Sequence, residues 1–192
     1  MATPPVTLTP SFLNAVRSVA PFMSKDKNLP LLTGVWLDPD GFAYATDRYR
    51  AARSPHGMTL DKQVWLGADM VKTLVAASTR SASLEVLDET GLVKVWWSTN
   101  SGSASTEQNP EPPGTTPDVA SLYRRHTPGE FTFFAVNMEL LKALPKVPGM
   151  QVTLGWGGTA SRKTTTLLIT TPFIEGFEAL VMGLHGEGWV VE

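Results

Sequence analysis

Chemistry in this chain of 192 residues has to come from a short inventory of side chains. There is no Cys, which removes thiolate nucleophiles, disulfide staples and Cys-ligated zinc or iron–sulfur centres. The three histidines, His56, His126 and His185, are isolated, with no spacing suited to metal ligation. Asp38 and Asp40 flank a proline, and Asp38-Pro-Asp-Gly41 reads as a turn rather than a carboxylate pair: Pro fixes φ and Gly supplies the unusual backbone angle. Gly158-Thr-Ala-Ser-Arg-Lys-Thr164 is close to a phosphate loop but lacks the glycine before the lysine. It also leads into Thr-Thr-Thr-Leu-Leu-Ile, a strand, where phosphate binding needs a helix N-terminus. No Gly-x-Ser-x-Gly elbow is present. The reading is of a protein that is not an enzyme and holds no metal or cofactor.

The bulk properties set the remaining choices. A hydrophobic content of 42% with 6 Trp is ample for a sizeable core. The tryptophans read as core or sheet-face residues, and Trp96 and Trp97 point to opposite faces of a regular strand. A formal charge of −2 announces no nucleic-acid partner, although a basic strip on one face is compatible with an acidic exterior. The N-terminus has no charged segment followed by an apolar one, and no run reaches the roughly 18 apolar residues that span a membrane. The expectation is a soluble, cytoplasmic protein with no membrane partner.

The elements follow one pattern used three times: a strand, a helix, then two or three strands. After residues 6–9, Ser11 is placed to cap a helix whose apolar stripe is Phe12, Leu13, Val16, Val19 and Ala20. Residues 31–37 read as a buried strand, and residues 42–46 return as its partner. The second pass opens at residues 63–66, with a helix over about 68–78 carrying Met70, Val71, Leu74 and Val75. Residues 83–87 and 92–97 form a hairpin. The third pass opens at 131–136, carries Leu140, Leu141 and Leu144 on its helix, and ends in strands over 152–156, 165–170 and 178–184. Four Pro and a Gly in residues 109–117 forbid regular structure there. The domain division falls at this linker, giving a two-unit domain over 1–123 and a one-unit half-domain over 124–192. Units of this kind bury a helix stripe on a small sheet and leave sheet edges that a neighbouring unit can pair.

A family resemblance rests on ordered segments. Leu29-Pro-Leu-Leu-Thr-Gly-Val35 followed by Ala45-Thr-Asp-Arg-Tyr-Arg-Ala-Ala52 resembles the middle domain of the bacterial sliding clamp, the DNA polymerase III beta subunit. Thr116-Pro-Asp-Val-Ala-Ser-Leu122 resembles the segment that closes that domain. Phe134-Ala-Val-Asn-Met-Glu-Leu-Leu141 and Ala179-Leu-Val-Met-Gly-Leu-His185 resemble a helix start and the closing strand of the family's last domain. The resemblance covers residues 6–185 and implies an α+β DNA clamp fold, with antiparallel sheets on one side and helices on the other. It also accounts for Asp47, which belongs to the family's Thr-Asp strand.

The resemblance implies a processivity factor that tethers a replicative polymerase to duplex DNA. Helices would face the DNA, with Arg17, Lys25, Lys27, Lys72, Arg80, Lys142 and Lys146 on or beside them, reaching phosphates without reading sequence. A peptide pocket for polymerases and other partners would be formed by Leu32, Thr46, Arg48, Tyr49, Arg50, Asn137, Leu140, Met182 and Leu184. The chain departs from the family where Arg48 replaces Gly, Tyr49 replaces His and Ala51 replaces Leu. Further on, Leu140 replaces an aromatic residue, Gly183 replaces Pro and His185 replaces Arg. A closed ring of such units implies a homo-oligomer, with chains alternating about two-fold axes. The other reading is a clamp-like regulator or decoy that binds a host clamp or its peptides without encircling DNA. A clamp so reduced in length suits a phage-encoded protein.

Overall fold

A computed structural model of the chain describes residues 6–8, 10–76, 81–87, 92–99, 102–108, 114–128, 137–142, 144, 149–159 and 162–183. The first unit runs β1 (Val6–Leu8), α1 (Pro10–Val19), β2 (Val35–Leu37), β3 (Phe42–Thr46) and β4 (Arg50–Pro55). The second repeats it as β5 (Val64–Leu66), α2 (Ala68–Ala76), β6 (Ser81–Leu87), β7 (Leu92–Thr99) and β8 (Gly102–Gln108). After them come α3 (Val119–Arg125), β9 (Thr127–Pro128), α4 (Met138–Lys142), β10 (Gln151–Thr159), β11 (Arg162–Thr170) and β12 (Glu178–Met182).

The first two units complete each other. β1 pairs with β6 of the second unit, and β5 pairs with β2 of the first, so each unit contributes its leading strand to the other's sheet. One sheet has the order β1-β6-β7-β8 and the other β5-β2-β3-β4-β12-β11-β10-β9, with every pairing antiparallel. The larger sheet therefore continues from the first unit into the third through the pair β4–β12. Gln108 at the end of β8 links the two sheets, accepting from Gly67 N–H at 2.7 Å and donating to the Trp65 carbonyl.

Alternation along the strands divides the larger sheet into two apolar faces. Val35, Leu37, Ala43, Ala45, Ala52, Ala179 and Val181 point to the core that α1 and α2 cover with Phe12, Val16, Val19, Met70, Val71 and Leu74. Leu140, Leu141 and Leu144 pack on the same core. Trp36, Tyr44, Ala51 and Leu180 point the other way, under Val119 and Tyr123 of α3.

Several local expectations are revised. The first helix begins at Pro10, so Ser11 lies inside its first turn instead of capping it; Pro tolerates that position because its missing N–H has no helical partner anyway. Residues 30–33 form a 3-10 turn, closed by a 2.7 Å bond from Thr33 Oγ1 to the Pro30 carbonyl, and the strand starts only at Val35. Gly34 sits so close to the Trp65 ring that a side chain would collide with it. The Pro-rich segment gives way at once to α3, which Asp118 caps by accepting from Ser121 N–H at 3.0 Å. β8, rich in Ser, carries no strand signal in its composition, yet it pairs along its whole length with β7. The Asp38–Gly41 turn forms as expected, with Gly41 at φ +90° and its N–H on the Asp38 carbonyl at 3.0 Å. Residues 131–136, which the sequence marks as a strand, lie outside the described residues.

Candidate functional site

The site is built around the short connection between β3 and β4. Asp47 organises it: one carboxylate oxygen accepts the N–H groups of Tyr49 and Arg50 at 3.0 and 2.8 Å, and the other takes Arg50 Nε and Nη2 at 2.9 and 2.6 Å. Thr46 Oγ1 donates to the Arg50 carbonyl at 2.8 Å and accepts from Arg48 N–H at 3.1 Å. Arg50 is buried, and its guanidinium also stands 5.4 Å from the Phe22 ring centre. Tight bonding to both neighbours forces Arg48 to φ +82°, the one positive φ outside glycine among the described residues. Such a conformation costs a side-chain-bearing residue roughly 1–2 kcal/mol. Glycine would carry no such cost.

Two cavities flank Arg48 on the α3 side of the sheet. One, of about 480 Å³, lies between Leu29, Leu31, Leu32 and the α3 segment carrying Pro117, Val119 and Leu122. The other, of about 50 Å³, lies among Tyr49, Arg50, Ala51, Leu122, Thr166, Leu180 and Met182. Thr46, Arg48 and Leu122 line both, so the cavities form one interrupted groove with Arg48 as its partition. Met182 N–H donates to the Tyr49 carbonyl at 2.9 Å, which fixes the end of β12 against the turn. A larger cavity of about 840 Å³ shares no residue with this groove; it lies beside α1, between Asn14, Arg17 and the loop carrying Phe173.

Two titratable groups near the groove, Asp118 and His126, have structural partners. Asp118 is held below the usual carboxylate range by the Ser121 N–H. His126 Nδ1 sits 2.7 Å from Thr166 Oγ1, and burial lowers its pKa. Among the described residues no cluster of acidic or histidine side chains is arranged to hold a metal. Gly158 and Lys163 pair across the β10–β11 hairpin, so that segment offers strand backbone and not a helix N-terminus to a phosphate.

Of the residues read as a pocket from sequence, Leu32, Thr46, Arg48, Tyr49, Arg50 and Met182 line the groove. Asn137 and Leu140 do not: Asn137 Oδ1 accepts Glu139 N–H at 2.9 Å at the start of α4, and Leu140 packs on the core under the opposite face of the sheet. Leu184 lies outside the described residues. Pro117, Val119, Leu122 and Leu180 were missed as lining residues. The signal for all four was present, since Thr116–Leu122 and Ala179–His185 already resembled family segments. Arg17 on α1 and Lys72 on α2 are exposed on helices that pack against each other, and Lys25 and Lys27 are exposed in the turn that follows the first helix. Lys142 on α4 is exposed and paired with Glu139 at 2.7 Å. Arg80 and Lys146 lie outside the described residues.

No family model and no curated protein sequence matches the chain. Solved structures do. The DNA polymerase III beta subunit of Borrelia burgdorferi, in complex with a natural product, is 13% identical, with a TM-score of 0.58 over 96% of this chain and 65% of its own. The Streptococcus pneumoniae beta chain gives 14% and 0.59 over 96% and 66%. The Bartonella birtlesii sliding clamp, bound to griselimycin, gives 12% and 0.57 over 96% and 67%. The chain has the sliding-clamp fold. It spans about two thirds of the length of these clamps, 65% of the first. Among the described residues no helix is long and apolar enough to cross a membrane.

Proposed function

We propose that the chain is a clamp-like processivity factor, a cytoplasmic, non-catalytic scaffold that tethers a replicative polymerase to duplex DNA. The observation that carries this reading is the groove at the β4–β12 seam of a clamp fold, where Arg48, Leu122 and Met182 from three separate segments converge. A short apolar peptide of a polymerase or another partner enters this groove. DNA meets the opposite, helix-bearing side, where Arg17, Lys25, Lys27, Lys72 and Lys142 supply a sequence-independent electrostatic contact. Several copies close into a ring, so retention comes from topology more than from affinity.

One observation favours the alternative, a clamp-like regulator that captures clamp-binding peptides or pairs with another clamp. The cationic surface is sparse, with a formal charge of −2 over the chain and Lys142 already paired with Glu139. Retention on DNA separates the two. The purified protein is loaded onto nicked circular duplex and passed over a sizing column at high salt, before and after linearisation. A ring stays on the circle and leaves the linear molecule. A regulator elutes free of both, and that result would remove the clamp reading.

A further inference from the structure

Arg48 sets a charge into an otherwise apolar groove. It is exposed and lines both cavities. Leu31, Leu32 and Val119 wall the larger one, and Ala51, Leu180 and Met182 wall the smaller. The other charged groups of the lining are engaged elsewhere. Arg50 gives Nε and Nη2 to Asp47. Asp118, the one carboxylate among the described lining residues, caps α3 and stands 3.6 Å from Arg124. Among the described residues no carboxylate lies at ion-pair distance from the Arg48 guanidinium.

The turn beneath fixes where this charge starts. Thr46 Oγ1 accepts from Arg48 N–H at 3.1 Å, and Asp47 accepts from the next N–H, that of Tyr49, at 3.0 Å. These bonds hold the Arg48 backbone at φ +82°. Backbone strain of this kind persists where its surroundings over-determine it, and it collects at ligand clamps. A guanidinium presents five N–H donors in a planar fork, a shape that a carboxylate meets with two parallel bonds. Between apolar walls such a pair is screened less than in open water.

We propose that Arg48 is the specificity-determining residue of the groove, and that it selects a peptide carrying a carboxylate side chain between two apolar anchors. The bulkier anchor fills the cavity of about 480 Å³ and a small one fills the cavity of about 50 Å³. The Asp or Glu between them closes on the guanidinium at the partition. A basic residue at that place meets a like charge, so the side chain that admits acidic peptides also rejects basic ones. The inference rests on the peptide-groove part of the proposed function and is independent of DNA binding and of ring closure.

Fluorescence anisotropy tests it with short labelled, acetylated peptides that differ only in the residue between a Leu and an Ala anchor, which is Glu, Gln or Lys. The full chain is titrated as the parent, Arg48→Gln and Arg48→Glu, at low and at high salt. The parent is expected to bind the Glu peptide about tenfold more tightly than the Gln peptide, the scale of one charge-assisted hydrogen bond, and the Lys peptide least. High salt narrows that ratio. Arg48→Gln brings the ratio toward one, and Arg48→Glu puts the Lys peptide first. A parent that binds the Glu and Gln peptides equally overturns the inference and keeps the groove. A preference that survives in Arg48→Gln belongs to another residue and overturns it as well. A parent that binds none of the peptides overturns the groove reading together with the inference.

Discussion

Arg53 and Glu178 face each other across the seam between the first and third units, with Nε and Nη2 at 2.8 and 2.7 Å from the same carboxylate oxygen. The guanidinium is clasped between the rings of Phe42 and Tyr123, 4.7 and 4.5 Å from their centres. The Tyr123 hydroxyl donates to the backbone carbonyl of Glu178 at 3.2 Å, so α3 closes over the same junction. This cluster ties residues 125 positions apart.

Glu178→Gln removes the charge and keeps the side chain's shape. Both partners are largely covered, at 24 and 28% side-chain exposure, so the expected loss is about 1–2 kcal/mol, above that of a surface pair and below that of a fully buried one. Hydrogen exchange locates it: amides of β4 and β12 should exchange faster while those of β6 and β7 hold. Uniform acceleration over both sheets would show that the pair supports the whole fold and not the seam.

Arg48→Gly relieves the left-handed backbone at the groove's partition. The gain of roughly 1–2 kcal/mol in the folded state is partly offset by about 0.4–1 kcal/mol of added freedom in the unfolded chain. The variant should match or exceed the parent's stability by up to about 1.6 kcal/mol, and Arg48→Val, β-branched at positive φ, should be less stable than the parent. Urea unfolding of the three proteins checks the order. A less stable glycine variant would mean that the Arg48 side chain contributes contacts that outweigh the strain.

Much of this arrangement was legible in the sequence, and the failures share a cause. Apolar alternation and helix periodicity placed α1, α2, β3 and the β6–β7 hairpin, because those signals are local. The Asp38–Gly41 turn was legible for the same reason. Which face of the sheet a residue joins is not local. Leu140 sits on the helix side and Leu122 on the groove side, and both are simply apolar helix residues until α3 is seen to cross the outer face. The resemblance supplied the groove's Thr46–Arg50 turn, whereas Asn137, taken from a motif position, stands at the start of α4 and not in the groove lining.

That difference gives a paired test of the groove. Met182→Ala and Leu122→Ala should each weaken capture of an apolar clamp-binding peptide about tenfold, since a truncated contact residue in a groove costs of order 1–2 kcal/mol. Asn137→Ala should leave capture unchanged and fray the start of α4, where its side chain holds the Glu139 N–H. Fluorescence anisotropy titrations read the first and circular dichroism the second. Loss of capture in Asn137→Ala alone would place the peptide on the opposite side of the sheet.

His56 makes the fold sensitive to mild acid. It is fully buried beside the Asp38–Gly41 turn, its Nδ1 accepts from Met58 N–H at 3.1 Å, and its Nε2 lies 3.0 Å from the Asp38 carbonyl. A ring that accepts at Nδ1 carries its proton on Nε2, so charging it would break the Met58 bond. Burial lowers its pKa, and His126 is lowered for the same reason. Below the unfolded value near 6.5 the unfolded chain binds protons that the folded chain refuses, so stability is full above that pH and falls as the pH drops toward the folded value. Each such group removes at most about 1.4 kcal/mol per pH unit. Asp38 has the opposite sign, because burial raises its pKa and the folded state takes up its proton first, but that acts in the carboxylate range at lower pH. Urea unfolding between pH 7.5 and about 5 should therefore show a declining midpoint for the parent, and His56→Gln should flatten the decline while lowering stability at pH 7.5. Parallel pH profiles for the two proteins would mean that His56 titrates alike in the folded and unfolded chains.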